Sequence, residues 1–331
     1  MTHRSAGRDE VLQNESPEEQ KAKGRHADSP TEIPARGWWE ILKRTWAEAG
    51  KDNISIVAAG VAFLGLLALF PAMAATVSIY GLIADPSDID DHLRSLGGFL
   101  PGDMVDVLAG QLDTLATANT DSLSFGLLLS LAVALWSAAG GVKSLMTALN
   151  IAFEEEEKRG FIKFTLTALV LTLGFIMLMI ISIGVVIAIP AALNFIGIGE
   201  TLEWVVRIAR WPLLAIALTA ALAVIFRYGP CRAKPQWKWV SWGAGAAVLL
   251  WMLASVGFSI YISNFADYNK TYGSLGAGVI MLLWLYIGAY AILLGAELDS
   301  EMERQTAKDT TDGPGKPLGE RGAFVADTVA K

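Results

Sequence analysis

The chain has 331 residues, of which 53% are hydrophobic and 18% are charged. That apolar share is too high for an ordinary soluble domain of this length, and it indicates a membrane protein. The formal net charge of −7 argues against a general affinity for nucleic acid, because phosphate backbones attract basic surfaces.

Cysteine and histidine are too few and too scattered to build a disulfide or a metal centre. The single cysteine, Cys231, excludes an internal disulfide and a cysteine cluster. His3 and His26 lie in a polar N-terminal stretch and His92 lies in an acidic loop, so no two histidines are neighbours. No phosphate-binding loop or nucleophile–base arrangement appears in the sequence. We therefore expect no catalytic residues, no metal and no cofactor.

The two ends of the chain differ in composition from its middle. Residues 1–36 are rich in Glu, Lys, Ser, Pro and Gly, which predicts a disordered tail, and residues 304–331 predict a second one. Residues 37–303 between them form the predicted membrane domain. It begins with Gly37–Ala49, where tryptophans and aliphatic side chains alternate with charged ones, as in an amphipathic helix at the membrane interface.

Long apolar runs predict six transmembrane helices of about 20 residues or more, the length that crosses a hydrocarbon core of about 30 Å. Their predicted bounds are Ile54–Ile83, Leu123–Gly141, Phe164–Ile189, Trp204–Phe226, Trp239–Ile262 and Tyr268–Asp299, and the last has no charged residue from Ser274 to Ala296. We expect the second to continue as helix toward Phe153 and Pro190 to close the third. Glycines in the sixth, including Gly288 and Gly295, predict close approach of neighbouring helices. The fold class is all-α, a polytopic membrane protein with short amphipathic interfacial helices.

The segment between the first two spans carries eight aspartates against one arginine, Arg94. These aspartates are scattered rather than spaced as in a calcium-binding loop, which favours a solvated acidic face over a cation site. After Pro101, apolar residues recur at helical spacing from Met104 to Leu115 and predict a short amphipathic helix on the outer face.

Six spans place both termini on one side of the membrane, and the basic residues decide which side. The segments on the side of the termini contain Arg36, Lys43, Arg44, Lys51, Lys158, Arg159, Lys163, Arg227, Arg232, Lys234 and Lys238. The opposite segments contain Arg94, Arg207, Arg210 and Lys270. The positive-inside rule therefore predicts cytoplasmic termini. Met1–Gln20 is polar throughout, so we expect no cleaved signal peptide and insertion by the first span.

Lys143 and Glu297 carry opposite charges toward the cytoplasmic ends of the second and sixth spans. These spans run in the same direction, so we expect the two charges at comparable depth. An ion pair between them would act as a gate, as a proton-coupling site or as a static link between helices. Separate snorkelling of each side chain to the interface is the alternative.

Arg207 and Arg210 share one face of the fourth span near the outer interface. Two guanidinium groups there are suited to the phosphate or carboxylate of a lipid headgroup or a solute, and interfacial anchoring explains them equally well. Pro71 interrupts the first span and predicts a kink, because proline removes a backbone hydrogen bond. The kink is a candidate hinge, with a static bend as the alternative.

Four stretches of the chain have the order and spacing of a known family. They are NISIVAAGVAFLGLLALFPAMAA, LWSAAGGVKSLMTALNIAFEEEEKRGFIKF, RYGPCRAKPQWKWVSWGA and TYGSLGAGVIMLLWLYIGAYAILLGAELDSE. They resemble the YihY/BrkB family of bacterial inner-membrane proteins, from Trp38 to Glu303. The resemblance implies six spans in the cytoplasmic membrane. Members are linked with serum resistance or with lipid and lipopolysaccharide export, and they often carry the label ribonuclease BN. The family has no settled catalytic motif, so it implies no active-site residues.

Two functions from different classes fit these features. The first is a transporter or flippase-like permease for a lipid or an amphipathic anion, favoured by the intramembrane charges, the paired arginines and the kinked span. The second is a non-transporting envelope scaffold or membrane-state sensor, which glycine-rich spans and surface helices fit as well. A ribonuclease is disfavoured, since it needs clustered metal ligands and a basic surface. We expect no enzyme activity and no nucleic-acid partner, but membrane lipids and a lipid or small-molecule substrate.

Overall fold

The computed structural model describes residues 11–81, 125–196, 200–264 and 274–330. The acidic segment and the helix predicted after Pro101 lie outside these ranges, as do His3 and His92. Most of the described residues are helical, and they form no strand. The all-α prediction is therefore confirmed.

Two shorter α-helices, with a 3₁₀ turn at Pro30–Glu32 between them, precede six long helices in the part of the chain that the structure describes. The short ones are α1 (Pro17–Lys23) and α2 (Ala35–Lys51), and the long ones are α3 (Ile54–Gly81), α4 (Phe125–Ala152), α5 (Phe161–Ile196), α6 (Glu200–Tyr228), α7 (Trp237–Asn264) and α8 (Ser274–Glu303). Each long helix is long and apolar enough to cross a membrane, which confirms the six predicted spans. Hydropathy identifies these spans because a segment in lipid must form all its backbone hydrogen bonds within itself. Each span is therefore one continuous apolar helix.

Some span ends differ from the predicted bounds. Helix α5 runs through Pro190, where the sequence predicts its end, and α8 continues past its predicted acidic end at Asp299 to Glu303. One missing backbone hydrogen bond does not end a helix whose other backbone groups have no alternative partner in lipid. Helix α8 continues because its last turns are enclosed by protein, where charged side chains find partners.

The chain divides into two compact units. The first unit contains Met1–Phe63, Ser144–Phe164 and Leu218–Lys331, and the second contains Leu64–Lys143 and Thr165–Ala217. Helices α3, α4, α5 and α6 contribute residues to both units. The core of the first unit is apolar, with small side chains beside large ones, and includes Ala49, Ile54, Leu149, Phe153, Phe226, Val240, Leu293 and Val325. Within it, α8 packs against α7 and α2.

Helix α2 has two distinct faces, as its sequence predicts. Gly37, Ile41 and Ala49 are buried on the face that packs against the rest of the first unit. Trp39 and Trp46 are 60% and 70% exposed on another face. An indole ring combines an apolar body with one polar N–H, so exposed tryptophans of this kind suit the boundary between water and lipid.

The C-terminal segment that the sequence predicts to be disordered is packed in the structure. Gln305, Thr310 and Val325 are buried, although the segment is polar. The guanidinium of Arg321 donates hydrogen bonds to the carbonyls of Ala307, Lys308 and Ala326. A segment of low apolar content cannot form a core of its own, but it can dock on a core that already exists. The buried Arg321 then supplies hydrogen bonds to the backbone carbonyls of the docked segment.

The N-terminal segment also departs from its predicted disorder within the described residues. Arg25 is fully buried, and its guanidinium contacts the Glu15 carboxylate at 2.7 Å. The same guanidinium donates to the carbonyl of Gln305, which ties this segment to the end of α8. A charged side chain is buried here because each hydrogen-bonding group that it loses from water is replaced within the protein.

Candidate functional site

The last two turns of α8 bury four carboxyl groups. The side chains of Glu297, Asp299, Glu301 and Glu303 belong to residues that are at most 1% exposed. Because residues four apart share a helix face, Glu297 and Glu301 point one way, and Asp299 and Glu303 point another. Carboxyl groups are seldom buried without partners, so the partners of each face show what the site can do.

The face of Asp299 and Glu303 is held by a buried ion pair and a backbone contact. Arg232 contacts Glu303 at 2.9 Å, with both side chains fully buried. The Thr310 hydroxyl donates to Glu303 at 2.7 Å. The backbone N–H of Gly243 donates to Asp299 at 2.7 Å, while Oδ2 of Asp299 has no partner among the described residues. This face joins α8 to α7 and to the loop before it.

The other face begins with an arginine-bound carboxylate. Glu301 contacts Arg44 of α2 at 2.5 Å and Arg304 at 2.6 Å. The Arg44 guanidinium also donates to the side-chain oxygen of Gln305. Glu301 is therefore neutralised by two arginines, which fixes α2 against the end of α8.

One turn earlier on that face, Glu297 meets a second carboxyl group rather than a cation. That group is Asp52, at the C-terminal end of α2, and the two carboxyl groups lie within hydrogen-bonding reach of each other. The Oε1 atom of Glu297 has no hydrogen-bond partner within the described part of the chain. Burial raises the pKa of the Asp52 carboxyl above its ordinary value of 3.8, and the hydrogen bond with Glu297 opposes that rise.

The predicted ion pair between Lys143 and Glu297 stays a prediction. Lys143 belongs to the second unit, where its ammonium lies 4.5 Å from the centroid of the Trp136 ring. Glu297 belongs to the first unit, and its neighbour there is Asp52. A cation over an indole face is an attractive contact, and it gives Lys143 a partner on its own helix.

The other residues that the sequence singles out are placed only in part. Arg207 and Arg210 lie in α6 one turn apart, but their side chains fall outside the described residues. Pro71 lies within α3, which continues through it to Gly81. Anion binding by the arginines and a hinge at Pro71 both stay predictions.

An open apolar cavity of about 480 Å³ lies at the surface of the first unit, beside the buried carboxyl groups. Its lining residues come from α2, α7 and α8 and are Trp38, Ser241, Trp242, Gly245, Ala246, Leu249 and Leu298. The rings of Trp38 and Trp242 lie 5.6 Å apart at 44°. Leu298 stands between Glu297 and Asp299 in the sequence, so the cavity and the carboxyl groups share one turn of α8.

Sequence reasoning found Glu297 but not its partner or the arginines around it. The acids that alternate in Glu297–Glu303 directly follow an apolar run. This pattern indicates that they have partners within the protein, because acids that continue a span need them. Asp52 gives a weaker signal, since it lies just outside the first span like any interfacial acid. No group of three or more His, Cys, Asp and Glu suited to a metal ion occurs among the described residues.

Comparison with known proteins gives consistent similarities along most of the chain. The sequence model of a family described as "Virulence factor BrkB" matches residues 45–318. The chain is 29% identical to the putative ribonuclease-like protein YfkH of Bacillus subtilis, over 80% of this chain and 94% of that protein. It is 28% identical to a UPF0761 membrane protein of Rhodospirillum centenum, over 84% of this chain and 61% of that protein. No solved structure matches the chain.

Proposed function

Because this chain belongs to the virulence factor BrkB family and is a multi-pass membrane protein, we propose that it transports a lipid or an amphipathic anion. The proposal places it in the bacterial cytoplasmic membrane with both termini in the cytoplasm. That orientation is supported by the excess of Lys and Arg in the segments on the side of the termini.

The apolar cavity carries the proposal. Its volume of about 480 Å³ lies within the range of about 300–1,000 Å³ that is usual for small-molecule sites. Its walls are indole rings, small residues and leucines, which suit an acyl chain or another apolar tail rather than a hydrated ion. Ser241 is its one side chain with a hydroxyl. A ligand with an apolar body therefore fits this lining better than a polar solute does.

The buried carboxyl groups beside the cavity support movement rather than simple anchoring. An anchor needs only apolar spans, and every buried acid without a full set of partners costs free energy. Glu297 and Asp299 each keep one oxygen without a partner among the described residues. Such cost is typical of sites whose protonation or occupancy changes during function.

The test is lipid movement in liposomes that contain the purified protein. Fluorescent phospholipid in one leaflet is followed by quenching from outside, with and without the protein. We expect Ala246→Trp, which fills the cavity, to abolish most of the movement. The matched control is Leu253→Trp on the same helix, where the native side chain is 64% exposed and the new ring faces outward.

Equal activity in Ala246→Trp and Leu253→Trp would exclude the cavity as the ligand site. No movement of any lipid by the unmodified protein, together with a specific partner recovered by crosslinking, would favour the scaffold or sensor role instead. The proposal includes no enzyme activity. A ribonuclease in particular is disfavoured, since a chain of net charge −7 is poorly suited to bind RNA. Hydrolysis of RNA by the purified protein, lost in a point variant, would contradict that part.

A further inference from the structure

The contact between Asp52 and Glu297 has a chemical requirement that the other contacts of the site lack. Two ionised carboxylates offer only acceptors, so a hydrogen bond between two carboxyl groups needs a proton on one of them. Arg44 of α2 and Glu301 of α8 are in contact at 2.5 Å, and this packing brings Asp52, at the C-terminal end of α2, within hydrogen-bonding reach of the buried Glu297. One exchangeable proton held between the two carboxyl groups would satisfy both.

The charged groups around this pair form ion pairs with one another. On α2, the Lys51 ammonium contacts Glu48 at 2.8 Å. At the end of α8, Arg304 contacts Glu301 at 2.6 Å and Glu48 at 3.9 Å. Neither Asp52 nor Glu297 forms an ion pair with any residue that the structure describes. A proton is therefore the positive charge that this pair lacks.

Another titratable neighbour of the pair is Glu154, in the loop after α4. Burial raises the pKa of the Glu154 carboxyl, and the nearby charges of Arg304, Asp52 and Glu48 also act on it. Burial likewise raises the pKa of Asp52. Acids that surround the pair on several sides disfavour its full ionisation, because like charges at short range repel one another.

The two members of the pair differ in their access to water. Asp52 is half-buried and precedes the first residue of the span in α3, whereas Glu297 is 1% exposed and lies within the span of α8. A proton that arrives on Asp52 from water thus lies one hydrogen bond from a carboxyl group in the membrane domain. When the proton moves, the O–H bond at Asp52 breaks and an O–H bond at Glu297 forms, and the total charge of the pair is unchanged.

From this arrangement we propose that Asp52 and Glu297 form a proton-binding site that loads one proton from the cytoplasmic water and couples it to transport. The coupling rests on the proposed transport function, whereas the proton site itself does not. Loss of the proton leaves two carboxylates in contact, and their repulsion pushes the C-terminal end of α2 away from Glu297, while Arg44 keeps its contact with Glu301. The site thereby links protonation to the elements that line the apolar cavity.

The experiment is infrared difference spectroscopy of the purified full-length protein in nanodiscs during pH steps. We expect a carboxylic-acid C=O band that titrates with pH and disappears in Glu297→Gln. In Asp52→Asn, which alters a residue outside the spans, the titration of the remaining band should shift. The matched control is Glu156→Gln, an exposed acid near Glu154, and it should leave the band and its titration unchanged.

Persistence of the same band in an Asp52→Asn/Glu297→Gln double variant that remains monodisperse would overturn the proposal. Displacement of the band by sodium chloride at fixed pH would also overturn it, since the site would then hold a metal cation. Lipid movement in liposomes separates the two claims. A titrating band without lipid movement would contradict the transport function alone, and lipid movement without the band would contradict the proton site alone.

Discussion

Gly243 and Gly295 bring α7 and α8 so close that neither position has room for a methyl group. A Cβ atom at Gly243 would collide with the carbonyl oxygen of Gly295, and one at Gly295 would collide with the carbonyl oxygen of Gly243. The Cβ at Gly295 would also lie 2.7 Å from the Cβ of Ala247. This contact confirms for Gly295 the close approach that the glycines of the sixth span predict. It also lets the N–H of Gly243 reach Asp299.

We expect Gly243→Ala and Gly295→Ala each to destabilise the protein by about 1–3 kcal/mol, the usual cost of overpacking. The measurement is the thermal midpoint of the detergent-solubilised protein. Gly257→Ala in α7 is the control, because no atom lies within 4 Å of its added methyl group. Equal midpoints for the three variants would show that α7 and α8 do not depend on this contact.

The buried pair of Arg232 and Glu303 predicts that replacing one partner destabilises the protein more than replacing both. Arg232 also lies 3.9 Å from the centroid of the Phe153 ring. Arg232→Met should destabilise the protein by about 3–5 kcal/mol, since it leaves a buried charge without its partner. Arg232→Met combined with Glu303→Gln should recover part of that loss. Lys238→Met, at an exposed position, serves as the control.

The measurement for this pair is a double-mutant cycle from unfolding in denaturant, which isolates the coupling between the two side chains. Additive effects of the two single substitutions would mean that Arg232 and Glu303 do not stabilise each other. In that case the Phe153 contact would account for the loss in Arg232→Met.

The loop after α4 predicts a pH-dependent contribution to stability. Glu157 contacts Arg159 at 2.6 Å and accepts a hydrogen bond from Asn150 at 3.0 Å. The hydrogen bond from Arg159 is the main reason why the pKa of Glu157 falls from 4.5 to about 2. Because the folded-state pKa is lowered, the contribution is fully present above the ordinary value and is lost as pH falls from 4.5 toward about 2.

Glu157→Gln should therefore lower the thermal midpoint at pH values near neutrality. Its difference from the unmodified protein should shrink as pH is lowered below the ordinary pKa of glutamate. Glu156→Gln, at the exposed neighbouring position, should show no such trend. A difference that stays constant across this pH range would assign the effect to packing rather than to charge.

Arg207 and Arg210 predict retention of an anionic amphiphile. Mass spectrometry of the protein extracted in native nanodiscs should find a defined lipid or amphiphile enriched over bulk lipid. Its enrichment should fall when both arginines are replaced by alanine, because guanidinium groups bind phosphate and carboxylate oxygens in pairs. Lys163→Ala, on an exposed residue at the start of α5, is the control. Recovery of bulk lipid alone would limit the arginines to anchoring.

The sequence by itself determined the six spans and the helical class. Backbone groups in lipid must be satisfied locally, so the length and apolarity of a segment suffice to identify a span. The amphipathic helix before the first span was also predictable locally, because one short stretch of sequence contains the residues of both its faces. Glu297 also stood out locally, as an acid at the end of an apolar run.

Only the tertiary structure decided what Glu297 touches. Asp52 precedes the first span and Glu297 lies near the C-terminal end of the last, so no local pattern joins them, and the packing of α2 on α8 brings them together. The C-terminal segment after Arg304 is a second case. Its composition predicts disorder, but a polar segment becomes ordered when a core already exists to receive it and buried groups such as Arg321 bind its carbonyls. Long-range contacts of this kind depend on which surfaces meet, and composition and periodicity do not specify that.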